Sequence, residues 1–203
     1  MEGYTSTVIT DYALEELKRS AADTSGQPFC MLYWHKAPHR NWMPDTSDLP
    51  GLLDKRYPIP ANLRDEYQGR KAADHADMRI ADMFTSHDLK VTGDYQNPDP
   101  GTGGAGFITN PQFDQVKNFA RQLSRLTPAQ QKAWEPFLKR VGEEWQDVKG
   151  TDRELEWRYQ RYMQDYLASV KSVDDNVGRV LDFLDESGLA ENTIVIYTSD
   201  QGF

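Results

Sequence analysis

The chain has 203 residues, and its 38% hydrophobic content is enough for one sizeable core but not clearly for two. The formal net charge of -9 and the lack of a Lys/Arg-rich run argue against a nucleic-acid-binding surface. No stretch approaches the roughly 20 apolar residues of a membrane span, and the first residues lack the pattern of a signal peptide. Cys30 is the single cysteine, so no intrachain disulfide can form, and its apolar neighbours predict a buried thiol.

Two elements are predicted at the start of the chain. Apolar residues at helical spacing predict a helix over about residues 10–22. Residues 29–34 form a continuous apolar run, whose length and aromatic content favour a strand buried on both faces. The charged sequence HKAPHR follows this strand directly.

The middle of the chain predicts an excursion of helices and loops over about residues 41–150. Four prolines between residues 41 and 60 predict an ordered loop, and a helix is expected from about residue 61 to 83. Residues 90–110 are rich in Gly, Pro, Asn and Asp, and their GTGGAG sequence lacks the Lys-Ser/Thr of a nucleotide-binding loop. Two helices should begin at Asn110-Pro111 and Thr127-Pro128, with Pro136 kinking or interrupting the second.

The longest predicted helix begins at TDRE, where Thr151 and Glu154 have the spacing of a capping box. Apolar residues then recur every 3 or 4 positions, and Gly188 is placed to close the helix. A short turn leads into a second predicted strand over residues 193–198, which ends at Asp200 and Gln201.

Strands separated by helical crossovers predict an α/β fold, with a mostly parallel sheet flanked by helices. Open sheets of this class bind ligands beyond the carboxyl ends of their strands. His39 lies a few residues past the first predicted strand, and Asp200 and Gln201 lie just past the second. The sequence therefore predicts one functional site to which both segments contribute residues.

Asp200 and Gln201 offer a carboxylate and an amide carbonyl, which are oxygen ligands suited to Ca²⁺ or Mg²⁺. Two ligands do not complete a site, because calcium takes about 6 to 8 oxygens. On local sequence alone, a simple polar turn after a strand is the favoured interpretation.

The HKAPHR sequence places two imidazoles and two cations within six residues. Such a cluster could hold an oxyanion ester through charge-assisted hydrogen bonds, or protonate a leaving oxygen. A solvated loop is the favoured alternative when the cluster is considered alone. His75 and His87 are predicted to lie at the surface, and no motif of an activated nucleophile or a zinc site is present.

The paired blocks PFCMLYWHKAPHRNW and VDDNVGRVLDFLDESGL with NTIVIYTSDQGF resemble the sulfatase family of the alkaline-phosphatase-like superfamily. The resemblance extends from about Gly3 to Phe203 and is greatest to bacterial sulfatases that act on sulfated carbohydrates. It implies a partial alkaline-phosphatase-like fold and hydrolysis of sulfate esters by a formylglycine beside a calcium ion.

The resemblance also implies roles for individual residues. His39 matches the histidine that contacts the sulfate, and Asp200 and Gln201 match a pair of calcium ligands. Lys36 and His35, in the same block as His39, are assigned substrate contact. An exported protein, periplasmic or secreted, is expected, and its partner is a sulfated small molecule or glycan.

Several family features are missing from the sequence. No C/S-x-P-x-R formylglycine motif occurs, and the early Asp-Asp calcium ligands are absent. The simplest hypothesis is that residues 1–203 are an internal segment of a sulfatase catalytic domain and are inactive alone. A phosphate or phosphonate esterase of the same superfamily and a non-catalytic anion-binding module remain as alternatives.

Overall fold

A computed structural model of the chain describes residues 2–75, 79–92 and 115–200. The α-helices in these ranges are α1 (Thr5–Ala22), α2 (Lys71–Asp74), α3 (Gln115–Leu123), α4 (Pro128–Val148) and α5 (Glu154–Glu186). Short 3-10 turns cover Leu52–Asp54, Ile80–Asp82 and Leu189–Asn192. Within these ranges, no helix combines the length and apolar character needed to cross a membrane.

The chain divides into two compact units. The first unit comprises Met1–Ala37 and Val170–Phe203, and the second comprises Pro38–Ser169. The long helix α5 contributes residues to both units.

The first unit contains α1, which confirms the predicted helix and begins five residues earlier than expected. Its buried face is small and partly polar, with Ser6, Thr10, Ala13 and Leu17 spaced at helical intervals. The Thr10 hydroxyl donates to the carbonyl of Ser6 at 2.7 Å, which satisfies this polar group within the helix.

The second unit is built around an apolar core. The loop predicted over residues 41–60 is ordered, because it contributes four buried residues to this core. With their partners from other segments, the core residues are Trp42, Leu49, Leu52, Leu53, Met83, Leu89, Val91, Trp134, Phe137, Val141, Trp145, Val148 and Ala168.

The prediction of a helix over residues 61–83 is wrong. The described part of this stretch holds only the four-residue α2 and the 3-10 turn at Ile80–Asp82. The Asp65 carboxylate accepts a hydrogen bond from the backbone N–H of Tyr67 at 2.8 Å, and this local bond favours a turn over a helix. Tyr67 and Gly69 then adopt positive φ angles of 57° and 78°, which a right-handed helix cannot contain.

Helix α4 begins as predicted, with a reciprocal capping box between Thr127 and Gln130. Of the two effects predicted for Pro136, the interruption is wrong, since α4 continues through it, and the kink stays a prediction. Pro136 is exposed, so water can satisfy the carbonyl that loses its amide donor. The predicted start at Asn110-Pro111 lies outside the described residues, although α3 follows at Gln115–Leu123.

Helix α5 confirms the long predicted helix, and Gly188 follows it with a left-handed φ of 74°. Its predicted capping box differs in detail. The Glu154 carboxylate accepts from the backbone N–H of Gly150 at 2.6 Å, one residue before the expected partner, Thr151.

The two predicted strands are neither helical nor turned, and no strand pairing is found within the described ranges. We call residues 29–36 the first apolar segment and residues 193–199 the second. The first was expected to be a strand buried on both faces and the second a buried strand, but Trp34 is 74% exposed and Ile194 is 89% exposed. The predicted buried Cys30 is also exposed. A strand becomes buried only when neighbouring strands and helices cover it, so the parallel sheet stays a prediction.

Candidate functional site

The first apolar segment ends in the two residues for which substrate contact is predicted, His35 and Lys36. Exposure alternates along the segment: Met31, Tyr33 and His35 are half-buried, whereas Leu32, Trp34 and Lys36 are exposed. A period of two is that of an extended strand. His35 and Lys36 therefore point to opposite faces, and Lys36 is the one open to solvent.

The His35 imidazole packs against the Tyr33 ring, with ring centroids 4.5 Å apart in an edge-on arrangement. Both ring nitrogens are buried and lack a hydrogen-bond partner among the described residues. Burial lowers the pKa of His35, because the charged form loses its hydration. The environment therefore favours a neutral imidazole at this position.

His39 lies on an exposed turn immediately after Pro38. The turn is anchored by Trp42, whose indole N–H donates to the Pro38 carbonyl at 2.8 Å. The Trp42 ring is only 1% exposed and packs edge-on against Tyr162, 5.0 Å away between centroids. An exposed imidazole is thus carried by a turn that is fixed to the core of the second unit.

Arg40, the residue after His39, forms an ion pair with a buried carboxylate. Its Nε donates to Asp88 Oδ1 at 2.7 Å, and its Nη2 donates to the other oxygen of the same carboxylate. Burial alone would raise the pKa of Asp88, but hydrogen bonds and charge from Arg40 and His87 outweigh it and lower the pKa to about 2. The Arg40 guanidinium is therefore paired within the protein and is not a free cation for the oxyanion-binding cluster that was one interpretation of HKAPHR.

The calcium ligands predicted from the sequence are only partly described. Asp200 is exposed at the end of the second apolar segment, and Gln201 lies outside the described residues. No group of three or more metal-ligating side chains occurs in the described part of the chain. Because calcium takes about 6 to 8 oxygens, these residues do not form a calcium site by themselves.

Sequence reasoning did not predict the burial of three residues that lie near the His39 turn in the second unit. His87, predicted to lie at the surface, is 8% exposed, and Asp88 and Lys90 are fully buried. They occur in the sequence FTSHDLKV, in which Asp88 and Lys90 were assigned no role. No local signal distinguishes this case, because Arg40 and Asp165, the charged partners of Asp88 and Lys90, lie far away in the sequence.

Comparison with known proteins shows one consistent family. The Sulfatase family model matches residues 2–203. The chain is 40% identical, over its full length, to an N-acetylglucosamine-6-O-sulfatase of Bacteroides thetaiotaomicron. It is 25% identical, over 79% of its length, to a multifunctional alkaline phosphatase superfamily protein, PehA, of Trinickia caryophylli.

A solved structure shows the same similarity in three dimensions. This structure, BT4656 in complex with its substrate D-glucosamine-2-N,6-O-disulfate, matches 93% of the chain with a TM-score of 0.72 and 34% identity. The chain spans only part of each of these proteins: 34% and 32% of the two sequence relatives and 35% of the solved chain.

Proposed function

Because this chain belongs to the sulfatase family, we propose that the whole protein is a sulfuric-ester hydrolase that acts on sulfated carbohydrates. The observation that carries the proposal is the 40% identity, over the entire chain, to a bacterial N-acetylglucosamine-6-O-sulfatase. The relative solved with a disulfated glucosamine supports a glucosamine sulfate as the substrate class.

The proposed role of His39 is to contact the sulfate group. Its exposed imidazole on an anchored turn is accessible to a substrate, and an imidazole can donate to an ester oxygen or protonate a leaving oxygen. Lys36, exposed in the same block, would add a positive charge for the sulfate. His35 remains a proposed contact, although its ring nitrogens are buried beside Tyr33.

We propose that Asp200 and Gln201 contribute two ligands to a calcium site completed by other parts of the whole protein. Calcium bound there would supply positive charge beside the sulfate. The formylglycine nucleophile is proposed to lie outside this chain, since Cys30 is followed by Met31, Leu32 and Tyr33 and not by the required motif.

The two apolar segments are proposed to be strands of the parallel sheet of an alkaline-phosphatase-like fold. The alternating exposure of residues 31–37 and the exposed apolar side chains of the second segment support this proposal. Export to the periplasm or the cell exterior is proposed from family resemblance.

A phosphate or phosphonate esterase is the second candidate, and the similarity to the alkaline phosphatase superfamily protein PehA favours it over a non-catalytic module. The two enzymatic candidates differ in the ester they prefer. A non-catalytic module would bind a sulfated sugar without turnover.

The test is turnover of N-acetylglucosamine-6-sulfate and N-acetylglucosamine-6-phosphate by the natural gene product that contains this chain. We expect the sulfate ester to be preferred and His39→Ala to lower turnover by roughly 100-fold or more, in the range of general acid–base contributions. His75→Ala is the matched control, because His75 is also an exposed histidine of the second unit.

Preference for the phosphate ester would support the second candidate, and tight binding without turnover would support the module. Equal turnover rates for His39→Ala and His75→Ala would contradict the proposed role of His39 in the site. The 203-residue chain by itself is expected to be inactive, and turnover of an aryl sulfate by it would contradict the proposal that the nucleophile lies elsewhere.

A further inference from the structure

The residues that follow His39 join a buried charged network, which we define as Arg40, Asn41, Asp88, Lys90 and Asp165. The side chains of Asp88, Lys90 and Asp165 have no solvent-exposed surface. Buried charges are costly unless they are paired and hydrogen-bonded. The pairing in this network is therefore a strong constraint on the segments that it joins.

Arg40 and Asn41 are held by two different buried side chains, Asp88 and Lys90. Arg40 forms the two-pronged contact with Asp88, a geometry that fixes the guanidinium plane. Asn41 accepts a hydrogen bond from Lys90 Nζ at 2.5 Å and donates to Gln122 Oε1 at 3.1 Å. Two consecutive residues after His39 are thus fixed by side-chain contacts.

Lys90 is itself held in place from two sides. Its Nζ donates to the carbonyl of Asp88 at 2.8 Å and lies 3.4 Å from Asp165 Oδ2. Asp165, on α5, also accepts from Arg161 Nη2 at 2.6 Å. Lys90 adopts a left-handed φ of 64°, a conformation that is strained for an L-residue, and these contacts hold its side chain.

We infer that Asp88 and Lys90 are positioning residues that set the orientation of the His39 imidazole through Arg40 and Asn41. This inference rests on the proposed function, because it assigns the network to the turnover of a sulfate ester. It differs from a purely structural role, in which loss of the network would lower stability without acting through His39.

The chain contains a matched control for the Arg40–Asp88 pair. Arg158 pairs with Glu154 through Nε at 2.8 Å, and each arginine stacks on an aromatic ring. Arg40 lies 4.9 Å from the centre of the Phe84 ring, and Arg158 lies 5.1 Å from that of Trp145. Glu154→Gln therefore removes a comparable ion pair at a site that does not hold the His39 turn.

The first experiment measures hydrogen exchange of the Trp42 indole N–H in the natural gene product that contains this chain, because this group closes the turn onto Pro38. Asp88→Asn is expected to speed this exchange by roughly tenfold or more, the loss expected for a hydrogen bond to a charged group. Glu154→Gln should leave it unchanged. Arg40→Lys, with Arg158→Lys as its control, provides a second pair if Asp88→Asn does not fold.

The second experiment is a double-mutant cycle in the natural gene product. Asp88→Asn alone is expected to lower kcat by roughly 10- to 100-fold, since small misplacement of a catalytic group has effects of this size. In the His39→Ala background the same change should cause no further loss, because its effect passes through His39.

The outcomes separate the inference from the proposed function. An unchanged indole exchange rate, or a full additional loss of kcat in the His39→Ala background, overturns the positioning role while the sulfatase proposal stands. A His39→Ala variant with normal turnover overturns the proposed site and the positioning role, and an accelerated indole exchange then shows only that the network holds the turn.

Discussion

Asp88 illustrates how one buried carboxylate can be kept ionised. Burial opposes its charge, but it accepts hydrogen bonds from Arg40 and from the backbone N–H of Phe84 at 2.8 Å, and His87 Nδ1 lies 3.3 Å away. The contacts with Arg40 and His87 outweigh burial and lower its pKa from 3.8 to about 2. The carboxylate is therefore charged under all mild conditions.

This shift predicts a dependence of stability on pH. Because the folded-state pKa lies below the unfolded value, the carboxylate contributes stability that is fully present above about pH 5 and is lost as the pH falls toward 2. The contribution is about 2 kcal/mol at neutral pH, at 1.36 kcal/mol per pKa unit. Urea unfolding of the wild-type chain and Asp88→Asn at pH 6 and pH 2 should show the difference in unfolding free energy shrinking by about this amount.

Asp152→Asn, at an exposed carboxylate, controls for the general loss of a negative charge. A difference between wild type and Asp88→Asn that is the same at both pH values would contradict the low pKa of Asp88.

At the scale of the helices, ends and buried faces are decided by different forces. The start of α4 is a local matter: Thr127 Oγ1 accepts from the Gln130 N–H at 3.3 Å, and Gln130 Oε1 accepts from the Thr127 N–H at 2.9 Å. Both partners lie within four residues of sequence, so the pattern alone predicts the helix start.

Thr127→Ala is expected to lower the unfolding free energy by about 1 kcal/mol, because an N-cap hydroxyl is lost. Thr5→Ala is the matched control, since Thr5 begins α1 and no side-chain cap is described at that helix end. Chemical denaturation of both variants tests the prediction, and equal stabilities would contradict it.

Which residues of α5 are buried is decided by tertiary contacts. Its predicted apolar stripe is partly correct, since Tyr162 and Tyr166 pack against the core. The most deeply buried side chains are nevertheless mainly polar, and in the second unit they are Arg158, Arg161, Gln164, Asp165, Ala168 and Ser169. Their burial depends on partners such as Lys90 and the carbonyl of Met83, which periodicity cannot reveal.

At the scale of the whole molecule, the first unit exposes large apolar side chains of a kind that folded proteins usually bury. Ile194, Ile196 and Tyr197 are 89%, 81% and 79% exposed, and Leu32 is 70% exposed. Apolar segments with unpaired backbone groups are templates for pairing with other chains.

We therefore expect the 203-residue chain to self-associate at micromolar concentration. Ile194→Thr combined with Ile196→Thr should shift sedimentation profiles toward the monomer without lowering the unfolding free energy. Leu181→Thr is the control, because Leu181 is an exposed apolar residue of α5 and a helix cannot extend a strand. A wild-type chain that remains monomeric across this range would refute the prediction.

Local chemistry in the sequence determined α1 through its periodicity, α4 and α5 through their caps and periodicity, and the blocks that place the chain in the sulfatase family. Only the tertiary structure decided which charged side chains are paired with one another. Arg40 and Asp88 are 48 residues apart, and Lys90 meets Asp165 from a different segment, so no local pattern encodes these pairs. Burial and pairing depend on distant residues, which is why His87 was expected at the surface and the pairing of Arg40 with Asp88 was not predicted.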